Sequence, residues 1–340
     1  MNPALVNLMP DPFVRLFAGP YISGDSIAVA VETARELQTT RRIASSLDLL
    51  GEEAASVDQI DRAMAIYRDL IDAVAKDPAF EATRRRPTVS LKPSTFTLPR
   101  RDQKGDLSAD TDLVRCYENI ERIASYAKDR GVRLTIDMED HAWVDFTLES
   151  YGKLLDRGFD NVGTVLQSML HRTKEDVKRL DGRARIRLVI GIYREPAEIA
   201  YTQKRDMKKR LLEYAEALLD RGVYVELATH DEEYVFRFMK EVVAERGVRP
   251  DRFEVQMLLG VPRKTTQDDL VAGRYVDRPE MAGNGTIPAD ALAELRKGVL
   301  VRLYVPFAMQ WSEALAYCRR RLNENPNIVW YGLKNLVVGT

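Results

Sequence analysis

The sequence predicts a (β/α)8 barrel, an α/β fold, and three observations carry that expectation. Eight short runs of β-branched and apolar residues recur along the chain. Charge-rich amphipathic stretches separate them, which is the pattern of strands alternating with crossover helices. No strand candidate is followed by a GxGxxG or P-loop signature, which weakens the case for an open, doubly wound sheet. Eight parallel strands, each followed by a helix, close most economically into a barrel.

In chain order, a helix over SIAVAVETARELQ (26–38) precedes the first strand, IASSLDLL (43–50). The helical stretch DQIDRAMAIYRDLIDAVAKD (58–77) leads to PTVSLKPS (87–94), and LVRCYENIERIASYAKDRG (113–131) leads to VRLTIDME (132–139). NVGTVLQS (161–168) and IRLVIGIY (186–193) are strands four and five, followed by the helix TQKRDMKKRLLEYAEALLDRG (202–222). VYVELATH (223–230), the helix DEEYVFRFMKEVVAERG (231–247), FEVQMLLG (253–260) and VLVRLYVP (299–306) complete the set. Several of these helices end in a glycine, which suits a helix C-terminus. The connection over 261–297 is long and contains the turn-rich EMAGNGTIP (280–288). It is expected to be a surface elaboration or an extra helix at an oligomer interface, with a lid over the barrel mouth as the functional alternative.

With 340 residues, 45% hydrophobic and 30% charged, the chain can bury a large core, and residues 1–340 are read as one domain. Lys+Arg 51 against Asp+Glu 52 leaves a formal charge of −1, so no global basic field points to nucleic acid. Cys116 and Cys318 fit no metal-ligand spacing, and free thiols in a reducing compartment are expected. The N-terminal MNPALVNLMPDPFVRLF lacks a basic segment followed by a long apolar run, and no stretch approaches the roughly 20 apolar residues of a membrane span. These features point to the cytoplasm.

A barrel keeps its active site at the C-terminal ends of its strands, so polar residues should collect there while strand interiors stay apolar. The strand ends carry Asp48, Lys92, Asp137 with Glu139, Gln167, Tyr193, His230 and Gln256, with Arg187 inside the fifth strand and Tyr304 inside the eighth. A metal-dependent hydrolase built on Asp137, Glu139 and His230 would need a second histidine at a strand end. His141 and His171 fall in loops beyond strands three and four, and no metal is expected.

The ordered motifs TVSLKPS, LTIDMED, IRLVIGIY, ELATHD, FEVQMLLG, RLYVPF and YCRRRLNEN resemble the strand motifs and last helix of the proline dehydrogenase family. FVRLFAGPYISGD and SSLDLLGEE resemble the opening of its monofunctional bacterial members. The resemblance implies a (β/α)8 flavoenzyme whose last helix covers the barrel mouth. It further implies oxidation of L-proline to pyrroline-5-carboxylate by hydride transfer to FAD, with electrons passed on to a quinone or another acceptor. Peripheral contact with a membrane and a homo-oligomer are further partners it raises.

Residue by residue, the resemblance places the substrate-carboxylate clamp on Arg320 and Arg321, with Glu324 one turn on to position them, and adds Lys92 as a third cation. Asp137 matches the catalytic aspartate, expected to stay ionised and orient the cations around it. Arg187 matches the arginine beside the flavin, where a fixed cation stabilises charge on the reduced ring. Tyr304 matches the tyrosine at the substrate ring, and Tyr193 and Leu188 would form an apolar wall. The FAD pattern carries over to Met138, Gln167 and Arg187, to the backbone of Ile190, Gly191 and Ile192, and to Thr229 and His230. In the fifth strand Ile190 stands where the family has a lysine and Ile192 where it has an alanine, and Arg194 is the nearest cation to compensate. The readings from other classes are a flavoenzyme for another cyclic imino acid and a barrel that has lost flavin and catalysis.

Overall fold

A computed structural model of the chain describes Val14 and residues 19–51, 53–81, 84–281 and 287–324. Each of the eight apolar runs holds a strand: β1 (Ala44–Leu49), β2 (Thr88–Leu91), β3 (Leu134–Ile136), β4 (Val162–Gln167), β5 (Arg185–Val189), β6 (Tyr224–Ala228), β7 (Phe253–Leu258) and β8 (Val301–Phe307). They pair in parallel in chain order, and β8 closes on β1 with Ser46 opposite Tyr304. The closed barrel rules out the open sheet.

The helices are α1 (Ile27–Arg41), α2 (Val57–Lys76), α3 (Leu113–Lys128), α4 (His141–Asp156), α5 (Thr173–Lys178), α6 (Lys204–Asp220), α7 (Glu232–Arg237), α8 (Lys264–Ala272), α9 (Ala289–Leu295) and α10 (Trp311–Glu324). Short polar side chains start several of them: Ser26, Ser56 and Asp112 accept hydrogen bonds from Val29, Gln59 and Arg115 backbone N–H groups in the first turns of α1, α2 and α3. α4 and α5 were not evident in the sequence. His141, expected in a loop, is the first residue of α4 behind the cap Asp140. α7 continues into a π-helical turn, Phe238–Ala244.

The hydrophobic core is a sleeve between barrel and helices. On every strand one set of alternating side chains points outward into it, including Leu47, Val89, Ile136, Ile186, Leu188, Leu227, Val255 and Leu303. The other set points into the lumen, and here the expectation of apolar strand interiors fails. Arg185, Glu226, Glu254 and Arg302 fill the lower lumen, where barrels usually stack Val, Ile and Leu. They are tolerated because they pair. Glu254 Oε1 lies 2.6 Å from Arg302 Nε, Arg185 bonds both Glu226 and Glu254, and Arg302 Nη1 also donates to the Ser45 carbonyl at 2.9 Å. Burial alone would push the Glu254 carboxyl up, but Arg302 and Arg185 hold it down to about 2. Gly163 makes room for Arg185, since a Cβ there would sit 2.9 Å from the Arg185 carbonyl oxygen and 3.3 Å from its Cγ.

The long connection after β7 packs against the outside of the barrel. Tyr275, Val276, Met281 and Leu295 join the sleeve, and Arg41 of α1 reaches Asp268 at 2.7 Å. Its described residues beyond Arg263 do not line the cavity at the mouth, so the elaboration reading holds for them and the lid reading does not. Residues 282–286, within the turn-rich stretch, lie outside the described residues. Both cysteines are buried free thiols, and no helix among the described residues is long and apolar enough to cross a membrane.

Candidate active site

Strand alternation carries the charged lumen up to the mouth. Arg187 of β5, in register with Glu226 of β6, reaches across the lumen to hydrogen-bond β1, β2, β7 and the residue that follows β3. Its Nη1 donates to Asp137 Oδ1 at 2.6 Å and to Ser90 Oγ at 3.1 Å, its Nη2 to Ser46 Oγ at 3.0 Å, and its Nε to Gln256 Oε1 at 2.8 Å. Burial opposes its charge, but Asp137 and then Glu226 beside it keep its pKa above the ordinary arginine value. Tyr304 of β8 donates its hydroxyl to the second oxygen of Asp137 at 2.7 Å, and the Arg187 guanidinium sits 5.2 Å from the Tyr304 ring centre. Burial first, and Asp137 and Asp48 next, push the Tyr304 phenol far up, so it stays a donor.

Among the described residues Asp137 bonds Arg187 and the Tyr304 phenol, while Lys92 Nζ pairs with Asp48 at 2.5 Å. The Arg320 and Arg321 side chains, the other cations expected around it, lie outside the described residues. Asp48 had been noticed only as a strand end. It is 1% exposed, and burial raises its carboxyl above the ordinary range, against the pull of Lys92 and with the push of Asp137. Gln256, like Asp48, stands out in the sequence only as a strand end, and Ser46 and Ser90, the other neutral acceptors that hold Arg187, do not stand out at all. The signal for them was small or polar residues at alternate positions of a strand, as in SSLD and EVQ.

Asp48, Asp137, Arg187, Gln256 and Tyr304 form the floor of a cavity of about 1300 Å³ opening at the C-terminal ends of the strands. Met138, Gln167, Ile190, Gly191, Ile192, Tyr193, Thr229 and His230 line it with Lys92, Asp137, Arg187 and Tyr304. Leu188 does not. Next to inward-facing Arg187, it points outward and is fully buried in the sleeve. The apolar wall is instead a small cluster of Met138, Val165, Met169, Val189, Tyr193 and Met207. Gln167 Nε2 donates to the Glu139 carbonyl at 2.7 Å, while its buried Oε1 has no hydrogen-bond partner among the described residues. Gly191, at φ 110°, closes over that side chain: a Cβ there would lie 2.5 Å from Met169 Sδ and 2.8 Å from Gln167 Oε1.

The sequence model of the family described as proline dehydrogenase matches residues 30–329. The chain belongs to the proline dehydrogenase family. Relatives in this family include proline dehydrogenase of Deinococcus radiodurans, 32% identical over 321 residues that cover 94% of this chain and 89% of that protein. Proline dehydrogenase 1 of Bacillus subtilis strain 168 is 30% identical over 324 residues, covering 95% and 91%. Among solved structures, proline utilization A from Bdellovibrio bacteriovorus, inactivated by N-propargylglycine, matches with a TM-score of 0.72 and 20% identity, over 95% of this chain and 34% of that one. At that identity the likeness is one of fold.

The rim of this proline dehydrogenase family barrel differs from expectation in its charges. Arg194 is exposed and does not line the cavity, which corrects its role as the cation compensating for Ile190. Lys204 and Lys208 of α6 and Arg263 after β7 line it instead. Lys208 pairs with Asp231, and Arg263 Nε donates to the His230 carbonyl at 2.9 Å. Burial, and then Arg263, lower the His230 pKa, which favours the neutral ring. Glu195 turns away to His141, its Oε2 2.6 Å from Nδ1. Glu139 accepts from Ser94 backbone N–H at 2.9 Å and from its hydroxyl, and no three His, Cys, Asp or Glu among the described residues are placed to hold a metal. Met309, Gln310, Glu313 and Tyr317 bring the start of α10 over the mouth. Arg320, Arg321 and Glu324 follow on the same helix, and their side chains lie outside the described residues.

Proposed function

We propose that this protein oxidises L-proline to pyrroline-5-carboxylate with FAD as the hydride acceptor, and hands the electrons to a quinone or a similar carrier. The observation that supports this most is the Arg187–Asp137–Tyr304 array, a mutually bonded cation, carboxylate and phenol on the floor of a cavity large enough for a dinucleotide and a small acid. The residues present fit FAD. Gln167 Oε1 is a buried acceptor with no partner among the described residues, and Gly191 lets the 190–192 backbone of the cavity wall pack close against that side chain. Met138, Thr229 and His230 line the same side.

When bound, FAD would supply the two-electron acceptor for hydride from the proline carbon bonded to nitrogen. The protein's part is positioning and charge. Arg187, immobilised by four acceptors besides the ion pair's second neighbour Glu226, presents a fixed positive charge where negative charge builds. Asp137 holds Arg187 and the Tyr304 hydroxyl, so the Tyr304 ring is a rigid face against the substrate ring. That face favours unsubstituted proline over a ring-hydroxylated analogue.

Lys92, held by Asp48, would meet the substrate carboxylate from the floor, and Arg320 and Arg321 would clamp it from α10. Positions 320, 321 and 324 lie three, four and seven residues beyond Tyr317, the spacing of one helix face. Tyr193 with Val165 and Val189 would wall the site against water.

Absorbance of the purified protein tests this reading. A flavin band near about 450 nm that bleaches anaerobically with L-proline is expected. A protein that takes up no FAD would favour the non-catalytic barrel, and a flavin that proline leaves oxidised would turn the reading toward another cyclic imino acid.

A further inference from the structure

Glu226 has no place in the reaction as described. It lies in the middle of β6, 2% exposed, in register with Arg187 of β5, and unlike Arg187 it does not line the cavity. Its Oε2 is 3.8 Å from Arg187 Nε and accepts from Gln256 Nε2 at 2.5 Å, while its Oε1 is paired with Arg185. Along the lumen Lys92 pairs with Asp48, Arg185 with Glu226 and Glu254, Arg187 with Asp137, and Arg302 with Glu254. After Asp137, Glu226 is the carboxylate that acts most strongly on Arg187, ahead of Glu254.

We infer that Glu226 sets how positive the cavity floor is, and through Arg187 tunes the reduction potential of the bound flavin, with Arg185 as its counterweight. This rests on the proposed placement of FAD beside Arg187. In a lumen from which water is excluded, a carboxylate 3.8 Å from a guanidinium is little screened and cancels part of its field at the cavity. A less positive floor stabilises a reduced, negatively charged ring less. Arg185 draws on the same carboxylate and so relieves Arg187. The role is one of tuning and not of placement. Arg187 keeps its bonds to Asp137, Ser90, Ser46 and Gln256 whether or not Glu226 is charged, and a glutamine at 226 retains an oxygen for Gln256.

The test is an anaerobic potentiometric titration of the flavin-loaded protein and its variants, with FAD affinity measured in parallel. Glu226→Gln is expected to bind oxidised FAD within about threefold of wild type while favouring the reduced form by about tenfold, an upward shift of about 30 mV for a two-electron couple. Glu226→Asp, which keeps the charge, should return toward the wild-type potential. Arg185→Gln should shift it the opposite way, downward. An unmoved potential in Glu226→Gln, or shifts of the same sign in Glu226→Gln and Arg185→Gln, overturns the inference and leaves Glu226 as a mere counterion of Arg185. Should Glu226→Gln not fold, Arg185→Gln decides, and an unchanged or raised potential overturns it. A wild-type protein without FAD would overturn the cofactor reading together with this one, whereas a flavin-loaded wild type with unmoved variants overturns this one alone.

Discussion

The floor of the cavity and its rim carry similar residue types in opposite physical states. On the floor and in the lumen below it, Arg187, Asp137, Glu226, Glu254 and Arg302 are buried and bonded on several sides. Their positions are fixed before any ligand arrives. At the rim, Lys204 is exposed, the Lys208 side chain is 27% exposed on its pair with Asp231, and Ile192 is 49% exposed. The difference teaches where each kind of function can sit. Charge that must act on a reacting centre is held dry and immobile. On the proposed FAD reading, the charge that would meet the cofactor phosphates is wet, movable and individually weak.

That contrast sets the size of the expected effects. Glu254→Gln strips Arg302 of its partner at the bottom of the lumen and should destabilise the fold by about 3 to 5 kcal/mol, read from urea unfolding. The sign of its pH dependence follows from the carboxyl being held down to about 2 from an ordinary 4.5. The contribution is complete above about 4.5 and is lost as pH falls toward 2, so the variant should show a flatter acid limb. A loss as small as that of a rim substitution would erase the distinction between the regions.

Arg320→Ala and Arg321→Ala should each weaken binding of a carboxylate analogue such as tetrahydrofuroate by about 2 to 5 kcal/mol with flavin content kept. Wild-type affinity in either variant removes it from the clamp. Asp137→Ala should keep a folded, flavin-binding barrel but lower turnover by about 100-fold, about 2.7 kcal/mol. Full turnover would show that the floor array does not act on the substrate.

At the rim, Lys208→Ala should reduce FAD affinity by less than about 1 kcal/mol, an effect that fades as salt is added. A salt-independent loss of several kcal/mol would place this lysine with the floor. The smallest effect belongs to Arg194→Ala, expected to leave FAD affinity within about 0.5 kcal/mol of wild type. Flavin loss in that variant would restore Arg194 as the compensating cation.

Much of the site was legible because its signals are local. IDMED and VSLK place Asp137 and Lys92 at strand ends and RLYVP places Tyr304 inside the eighth strand, and all three line the cavity. Leu188 was misplaced because a strand's two faces are one residue apart, so naming the wrong neighbour sends the side chain to the opposite side of the sheet. Arg194 was chosen for closeness in sequence to Ile190, but Lys204 and Lys208 reach the cavity from a different helix. α4 was obscured by its mix of aromatic and β-branched residues, HAWVDF, in the first turns.

The sequence by itself determined the number, order and type of the strands, the parallel closed barrel they make and the family, because periodicity and motif order are properties of the chain read locally. Only the tertiary structure decided which alternate residues face the lumen and which charges meet there. Arg302 and the Ser45 carbonyl are 257 residues apart, and Arg187 and Ser46 are 141 apart. Closing the barrel fixes the register of every strand at once, and that register turns scattered arginines, glutamates and serines into a single bonded column beneath the active site.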